Sequence, residues 1–570
     1  MLLLEASRME KSFGDRLIFR AEKLEVQEGD RIGIVGHNGT GKTTLMRVLA
    51  QELDPDDGEV RTYAAVSYIP QLPQREPNAQ QAQGEQAEEV SAKSRQEWGI
   101  QHVHSGMSGG EQMRLLIASA LEKDASILFA DEPTSHLDIA GTRQVEDALR
   151  SFRGAVVLIS HDRELLDTVC TKIWEVENGT VTEYKGNYTA YQRQKELLRE
   201  REWAEYEAYE KEKQRLIQSM YEAKQRSTRI KDTPKRMGNS EARLHKRKAN
   251  GKREKIDQAA KALETRLAKL ERKEKPRELP RVKFDLAQEA LQHGRAVFQC
   301  QDFAFRVGER TLFSHLSFTV RPGQKIALIG ANGTGKSTLL SLLAQRAEGI
   351  FVSQSSKLGY FTQSLSILEP DQSVLSNVKK ESRYDEATIK NALARLLIRG
   401  DAVYKPVSAL SGGERVKVAL AKIFLGDYNV LLLDEPTNYL DIATREELEI
   451  LLQDYPGTVL FATHDRRLIQ RLANGILSLD EKQPALFNGT YEEYTEKKQR
   501  KQQRGDHRKR DAHADAEALL LLETKLSELL GRLSASPGSL PAEEKELLEK
   551  AYRETLSEYR KRKQEGMIPR

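Results

Sequence analysis

The chain of 570 residues is poor in cysteine and lacks any long apolar run. Its two cysteines, Cys170 and Cys300, lie in different halves, which excludes a disulfide framework and a cysteine-rich zinc site and favours a reducing compartment. No segment approaches the roughly 20 apolar residues that span a bilayer, and the N-terminal apolar stretch is too short for a signal peptide. With 38% hydrophobic and 31% charged residues, the composition predicts a soluble cytoplasmic protein of two or more domains.

Positive charge is concentrated in one segment near the middle of the chain. Residues 224–255 contain thirteen Lys or Arg and three acidic residues, a net charge of +10. Because the whole chain carries +4, the remainder sums to −6. Such a block is typical of nucleic-acid contacts, since neutralising phosphates releases counterions; a solvated helix surface is the alternative interpretation.

Four sequence blocks occur twice in the same order, which indicates an internal duplication. The first copy has GIVGHNGTGKTTL (33–45), MSGGEQ (107–112), ILFADEPTSHLD (127–138) and VLISHDRELL (157–166). The second copy has ALIGANGTGKSTL (327–339), LSGGER (410–415), VLLLDEPTNYLD (430–441) and LFATHDRRLI (460–469). The last three blocks are offset by 303 positions between the copies, and the lysines of the first block by 294.

The first block of each copy has the phosphate-loop pattern G-x-x-x-x-G-K-[ST] after an apolar strand. Backbone N–H groups of such a loop, and the N-terminus of the helix that follows, bind phosphate oxygens. Lys42 and Lys336 are predicted to reach the β- and γ-phosphates, and the hydroxyls of Thr43 and Ser337 to hold Mg²⁺. The predicted ATP-binding residues of the loops are Gly36, Asn38, Gly39, Gly41, Lys42, Thr43 and Thr44, and Gly330, Asn332, Gly333, Gly335, Lys336, Ser337 and Thr338.

The apolar run before each DEPT sequence predicts a buried parallel strand that ends in two carboxylates. Asp131 and Asp434 are predicted to face Mg²⁺. Glu132 and Glu435 are predicted to orient or polarise the attacking water.

A histidine follows the next apolar strand in each copy, at a place where its side chain reaches the γ-phosphate. A lone histidine is more often structural, but the repeated strand–His–Asp context favours a catalytic role. The candidate catalytic residues are therefore Glu132, Glu435, His161 and His464.

These blocks resemble those of the ABC-type ATPases over nearly the whole chain apart from the C-terminal tail. The resemblance implies an α/β fold of tandem P-loop ATPase domains that hydrolyse ATP to ADP and phosphate with Mg²⁺. It also implies that SGGEQ and SGGER are signature motifs, each facing the phosphate loop of the opposite half, so that two ATP molecules lie between the halves. The signature residues are Ser108, Gly109 and Gly110, and Ser411, Gly412 and Gly413.

The same resemblance implies the composition of two shared sites. Site one combines Lys42, Glu132 and His161 with Ser411 and Gly413. Site two combines Lys336, Glu435 and His464 with Ser108 and Gly110.

Further family positions match Gln71 and Gln363, which stand at the Q-loops and imply Mg²⁺ contacts. Phe13 matches the aromatic residue that stacks on adenine. In the second half Val307 takes that place and only Phe305 lies near it, so the resemblance leaves adenine stacking in site two open.

The sequences DEPTSHLD and DEPTNYLD resemble the DEPTNHLD hallmark of the ABC-F class, with Ser135 and Tyr439 as departures. ABC-F proteins are tandem ATPases without membrane spans whose two domains are joined by a helical hairpin. The alternative is the motor subunit of a transporter whose membrane domains lie on another chain.

The linker supports the hairpin independently of the family. Residues 191–226 contain neither Gly nor Pro and predict one long helix. Thr233-Pro234 and Gly238-Asn239 predict its end, Asn250-Gly251 predicts a further interruption, and an apolar stripe predicts a second helix over 256–270 that Pro276 ends. Two antiparallel helices of roughly 25–35 residues would extend about 40–50 Å.

The basic segment then becomes the tip of this hairpin, over about 226–252. The ABC-F resemblance implies that the tip enters the tRNA exit site of the 70S ribosome and points toward the peptidyl-transferase centre, near 23S rRNA and the P-site tRNA. The predicted RNA-binding residues are Arg226, Arg229, Lys231, Lys235, Arg236, Met237, Arg243, His245, Lys246, Arg247, Lys248, Lys252 and Arg253.

Two features favour the antibiotic-resistance branch of the class. Between Gln71 and Ser108 there is no room for the arm domain of the housekeeping translation factor. RMGNSEARLHKR (236–247) resembles the linker of ABC-F proteins that protect ribosomes from lincosamides, group A streptogramins and pleuromutilins. The alternatives are a translation factor without a drug role and a DNA-associated ABC-F ATPase.

The predicted domains are an ATPase domain (1–190), the linker (191–278), a second ATPase domain (279–496) and a basic, helical C-terminal extension (497–570). Helix-like stretches are predicted over 514–533 and 542–562 in the extension. Ribosomal RNA, DNA or an apolar partner segment are all open as its contact. We expect a monomer in which the two ATPase halves pair within one chain.

Overall fold

The computed structural model describes residues 1–71, 90–100, 107–229, 239–275, 296–308, 310–362, 364–480, 484–534 and 542–567. For residues 239–246, 501–516, 542–545 and 564–567 the description covers the backbone only. The chain forms two compact units, one of residues 1–472 and 477–486 and one of residues 473–476 and 487–570.

The described part of the first ATPase half forms a nine-stranded sheet in the order β4-β1-β2-β9-β8-β3-β7-β6-β5. Its strands are β1 (Leu2–Phe13), β2 (Arg16–Gln27), β3 (Arg31–Val35), β4 (Asp57–Thr62), β5 (Val66–Ile69), β6 (Ile127–Asp131), β7 (Ala155–Ile159), β8 (Lys172–Glu177) and β9 (Thr180–Lys185). Its helices are α1 (Lys42–Leu49), α2 (Ala92–Glu97), α3 (Gly109–Glu122), α4 (Ile139–Ser151) and α5 (Arg163–Val169).

The register of the parallel strands brings the motifs of this half together. Every residue of β6 and β7 is buried, which explains why both strands are apolar along their length. Ile159 pairs with Ile34 on one side and with Asp131 on the other. The phosphate loop, the DEPT sequence and His161 therefore all lie at the same edge of the sheet.

Two long helices form the linker. They are α6 (Tyr188–Arg229) and α7 (Asn239–Lys269). Helix α6 has 42 residues, more than the predicted 25–35, because it begins inside the first ATPase domain, where Tyr188 is buried. At ~1.5 Å per residue the two helices measure about 63 and 46 Å.

The predicted interruption at Asn250-Gly251 is wrong, because α7 is continuous through both residues. A glycine in a helix interior costs only about 1 kcal/mol relative to alanine. Contacts with α6 hold α7 C-terminal to Gly251: Ser227 Oγ donates to Asp257 at 2.8 Å, and an ion pair joins α7 to Glu212 of α6. The predicted breaks at Pro234 and Pro276 lie outside the described residues.

The second ATPase half repeats the first, with its described strands in two sheets of order β11-β10-β13 and β14-β15-β16-β12-β17-β18. The strands are β10 (Phe298–Val307), β11 (Arg310–Val320), β12 (Lys325–Ile329), β13 (Phe351–Val352), β14 (Leu358–Phe361), β15 (Val430–Asp434), β16 (Thr458–Ala462), β17 (Gly475–Ser478) and β18 (Leu486–Asn488). The helices are α8 (Lys336–Ala344), α9 (Val374–Lys379), α10 (Glu386–Arg395), α11 (Gly412–Leu425), α12 (Ile442–Asp454) and α13 (Arg466–Leu472), with 3₁₀ turns at Gly400–Tyr404 and Val407–Ala409. Ala462 pairs with Leu328 and Asp434, which repeats the register of the first half.

The smaller unit contains α14 (Tyr491–Ser534) and α15 (Ala542–Met567). Helix α14 begins well before the predicted start at residue 514 and includes the basic stretch 497–510, because Lys, Arg and Gln are good helix formers. The hydroxyl of Tyr559 donates to Glu523 and joins the two helices. Leu520 and Leu521 of α14 are exposed.

The structure confirms the predicted fold class: two α/β domains with a phosphate loop each, a helical hairpin between them and helices at the C-terminus. Within the described residues, no helix has the length and apolarity needed to span a bilayer. Both cysteines are free and buried. Burial raises the pKa of the Cys300 thiol to about 11 and that of Cys170 further.

Candidate active sites

In each phosphate loop, the lysine side chain donates hydrogen bonds to carbonyl groups of the same loop. Lys42 Nζ donates to the carbonyl oxygens of Gly36 and His37 at 2.9 and 3.0 Å. Lys336 makes the corresponding two bonds at 2.8 and 3.2 Å. Burial lowers the pKa of both lysines, and nearby carboxylates oppose the shift. Both ammonium groups therefore lie inside their loops, where phosphate oxygens are expected.

Glycine is required at the residue before each lysine. Gly41 and Gly335 both have φ of 96°, a left-handed conformation that ends the loop and begins the helix. A Cβ atom on Gly41 would lie 2.2 Å from Ile18 Cγ2. A glycine at this position therefore allows both the left-handed turn of the loop and the close approach of Ile18 to the loop backbone.

The aspartates at the ends of β6 and β15 contact the hydroxyl residues of the loops. Ser337 Oγ donates to Asp434 at 3.0 Å, and Thr43 hydrogen-bonds to Asp131. Burial raises the pKa of each aspartate, and these hydrogen bonds act in the opposite direction. The structure therefore brings together the residues predicted to hold Mg²⁺ in each half.

The two candidate catalytic glutamates share an unusual backbone conformation. Glu132 and Glu435 have φ of 53° and 49°, and each donates its backbone N–H at 2.9 Å to a carbonyl of the neighbouring strand. Both side chains are buried, which raises the pKa of Glu132 to about 7 and that of Glu435 to about 8. Carboxyl groups with such pKa values are suited to accept a proton near neutral pH.

A histidine lies beside each glutamate. His161 Nε2 is 3.3 Å from Glu132 Oε1, and His464 Nε2 is 3.4 Å from Glu435 Oε1. Burial lowers the pKa of His464 to about 4 and that of His161 well below its usual value. Both imidazoles are therefore neutral at physiological pH.

The signature motifs begin helices α3 and α11. Ser108 caps α3 and Ser411 caps α11, each in a capping box with the glutamate three residues on. A Cβ atom on Gly413 would lie 3.6 Å from Asn38 Nδ2, and one on Gly110 would lie 3.7 Å from Asn332 Nδ2. Each signature helix therefore begins against the phosphate loop of the other half.

Hydrogen bonds between the halves fix this arrangement. Asn38 Nδ2 donates to the carbonyl of Tyr439 at 3.1 Å, and Asn332 Nδ2 donates to the carbonyl of His136 at 2.9 Å. Tyr439 is one of the departures from the DEPTNHLD hallmark, but the contact uses its backbone and so does not depend on that side chain. One continuous cavity between the halves is lined by both glutamates, both histidines, both signature motifs and Gln71.

The predicted adenine contacts are less complete. Phe13 is 56% exposed at the end of β1, and Arg16 from the same hairpin lines the cavity. In the second half the ring of Phe305 is stacked with that of Phe303, and Val307 is 54% exposed. Gln363 lies outside the described residues.

Sequence reasoning missed a group of ion pairs between the halves. Arg163, two residues after His161, lies 2.5 Å from Glu449 of the second half. Its counterpart Arg466 lies 3.3 Å from Glu146 of the first half. A comparison of the two copies could have found this symmetric pair, because its members are offset by 303 positions.

Comparison with known proteins identifies the family. A family model described as "ABC transporter" matches residues 19–135 and 313–438, and a second model with the same description matches residues 174–248. The ribosome protection protein VmlR of Bacillus subtilis (strain 168) is 33% identical over 528 residues, 91% of each chain. The chain belongs to the ABC-F family of ATPases.

A second relative and one solved structure are also similar to this chain. The erythromycin resistance ATP-binding protein MsrA of Staphylococcus epidermidis is 34% identical over 80% of this chain and 92% of its own. The solved structure of the RNase-L inhibitor superimposes with a TM-score of 0.57 and 20% identity, over 85% of this chain and 91% of that one. The second likeness concerns the fold alone.

The residues of this ABC-F ATPase fit the nucleotide and metal that its family implies. Within the described residues, Asp131 Oδ2 is buried without a hydrogen-bond partner, as expected of a group that faces a cation. Thr43 and Asp131 would hold Mg²⁺ in one half, and Ser337 and Asp434 in the other. A bound Mg²⁺ would neutralise phosphate charge.

The linker tip of the ABC-F ATPase is only partly described. Arg226, Arg229, Arg247, Lys248 and Lys252 are exposed on α6 and α7. Arg253 is half-buried and donates to the carbonyl of Ser227 at 3.4 Å. The positions outside the described residues or side chains are Lys231, Lys235, Arg236, Met237, Arg243, His245 and Lys246.

Proposed function

We propose that this ABC-F ATPase binds the 70S ribosome in its ATP-bound state and uses the linker tip to dislodge antibiotics from the peptidyl-transferase centre. The observation that carries the proposal is the similarity to a ribosome protection protein over 91% of both chains, which includes the linker. A resistance protein is also 34% identical over 80% of this chain. The protein would act as a cytoplasmic monomer.

Two shared sites would close the halves and reopen them. In site one, Lys42 and its loop bind phosphates, Glu132 orients the attacking water, and Ser411 completes the site from the other half. Site two uses Lys336, Glu435 and Ser108 in the same roles. Because each γ-phosphate contacts both halves only when they are together, ATP favours the closed arrangement and hydrolysis releases it.

The exposed cations of the hairpin support the RNA contact. Arg247, Lys248 and Lys252 project from α7 in a segment that carries net +10, while the rest of the chain carries −6. A cationic projection on an acidic body favours binding to phosphate-lined surfaces such as 23S rRNA and the P-site tRNA. Lys and Arg mostly contact phosphates, so they determine affinity more than base recognition.

Sedimentation with ribosomes tests the ATP cycle. The double variant Glu132→Gln/Glu435→Gln keeps the shape of both side chains but removes the carboxylates, so it should bind ATP without hydrolysing it. We expect this variant to co-sediment with 70S particles in ATP and the parent chain to do so only with a non-hydrolysable analogue. If the double variant stays in the supernatant, the proposed cycle is wrong.

Drug tolerance tests the tip. Changing Arg247, Lys248 and Lys252 to Gln should weaken ribosome binding and lower tolerance of a susceptible bacterium to lincosamides, group A streptogramins and pleuromutilins. Erythromycin belongs in the same panel because the relative MsrA is named as an erythromycin resistance protein.

The matched control removes three exposed cations from the ATPase body, with Lys123, Arg143 and Arg150 changed to Gln. This control should retain tolerance. Ribosome binding by the parent chain without tolerance to any drug would instead support a translation factor, and ATPase stimulation by duplex DNA would support the DNA-associated alternative.

A further inference from the structure

Site one contains a residue from the opposite half whose counterpart at site two is different. Arg445 belongs to α12 of the second half, but its Nη1 donates at 3.0 Å to the backbone carbonyl of His161 in site one. The two residues are 284 positions apart in the sequence. Both line the same cavity as Glu132.

The guanidinium of Arg445 is held in place by its own half. Asp441 caps α12, so Arg445 lies in the first turn of that helix. Its Nε donates to the carbonyl of Leu440 at 3.0 Å, and Nη1 is 3.7 Å from Asp465 Oδ2. The side chain is only 16% exposed. A side chain with this many contacts has little freedom to leave His161.

Site two receives a different residue at the equivalent position. Helices α4 and α12 both have 13 residues and an aspartate cap, so they align without a gap. Thr142 stands in α4 where Arg445 stands in α12, and it is buried. The arginine that follows it, Arg143, is exposed. The duplicated domains thus present an arginine to site one and a threonine to site two.

We propose that Arg445 is a positioning residue for site one, and that it makes site one the faster of two unequal sites. The inference rests on the proposed function, in which both sites hydrolyse ATP. The hydrogen bond fixes the backbone of His161, whose ring lies 3.3 Å from Glu132.

Single-turnover hydrolysis of pre-bound ATP, measured by rapid quench, tests the proposal one site at a time. In a Glu435→Gln background only site one can react, and in a Glu132→Gln background only site two. We expect Arg445→Thr to slow site one about tenfold, the effect of losing one charged hydrogen bond. Site two should change less than twofold. Arg445→Lys should restore part of the rate in site one, because it keeps the charge.

Rescue by the conservative variant separates positioning from a merely structural role. Arg445→Lys keeps a charged donor, so it should restore part of the rate in site one and leave site two unchanged. A variant that only loosens the interface would slow both sites, and Arg445→Lys would then restore both or neither.

Equal effects in the two backgrounds, or no effect in either, would overturn the role of Arg445 while leaving two-site hydrolysis intact. Release of phosphate from neither background would instead refute two-site hydrolysis, and the inference with it. Thermal melting of each variant shows whether the fold is retained, and Arg445→Lys serves as the second variant if Arg445→Thr does not fold.

Discussion

The ion pair between Arg163 and Glu449 should contribute most to holding the two ATPase halves together. The side chains are 3% and 1% exposed, and Arg163 also lies 3.5 Å from Glu446. Removing one partner of a buried pair costs about 3–5 kcal/mol because the other charge is left buried. Arg471 stays 2.9 Å from Glu449, so the lower end of that range applies to Arg163→Met.

A loss of about 3 kcal/mol corresponds to roughly a hundredfold change in an equilibrium constant. We therefore expect Arg163→Met to raise the ATP concentration for half-maximal hydrolysis by about that factor if ATP binding drives closure of the halves. The matched comparison is Arg466→Met, whose ion pairs with Glu146 and Glu164 are more exposed, with side chains 11%, 13% and 26% exposed. Because solvent screens these pairs more than it screens Arg163–Glu449, Arg466→Met should have the smaller effect.

A double-mutant cycle decides whether the contact itself is responsible. If Arg163 and Glu449 interact, the double variant Arg163→Met/Glu449→Gln should lose less than the sum of the single variants, by at least about 1 kcal/mol. Simple additivity of the two single effects would refute the reasoning, because it would mean that each residue acts through other contacts.

Two further predictions concern stability. The folded pKa of Glu132, about 7, exceeds its ordinary value of 4.5, so the stability that this carboxyl contributes is fully present below pH 4.5 and is lost as pH rises through 7. Glu132→Gln should therefore stabilise the fold more at pH 8.5 than at pH 5, and the two gains in the free energy of unfolding should differ by about 3 kcal/mol. Equal shifts of the melting temperature at both pH values would contradict the assignment. Gly251→Ala should stabilise the hairpin by about 1 kcal/mol in thermal unfolding of the whole chain, since an added Cβ meets no atom within 4 Å. A loss of helix signal in circular dichroism would show that Gly251 is needed for a bend.

The catalytic and phosphate-binding residues of the sites could be predicted from the sequence because they lie in short contiguous blocks. The phosphate loop, the DEPT carboxylates and the histidine of each half all follow an apolar strand, and parallel strands end at the same edge of a sheet. The family resemblance then placed Glu132 with His161 in one site and Glu435 with His464 in the other.

The contacts between the halves could not be predicted in the same way. Arg163 and Glu449 are 286 positions apart, and Arg445 and His161 are 284 apart, with no local pattern that connects them. The error at Gly251 has a similar origin, because a local propensity of about 1 kcal/mol was outweighed by contacts with a helix elsewhere in the chain.

The buried thiols of Cys170 and Cys300 make the chain convenient for site-selective labelling. Maleimide reagents react with thiolate, and a raised pKa keeps both native groups protonated at neutral pH. A cysteine introduced at an exposed position in each half, for example in place of Lys123 and Lys379, would accept a donor and an acceptor dye without prior removal of the native residues. Distances between the halves could then be followed in single molecules through one catalytic turnover.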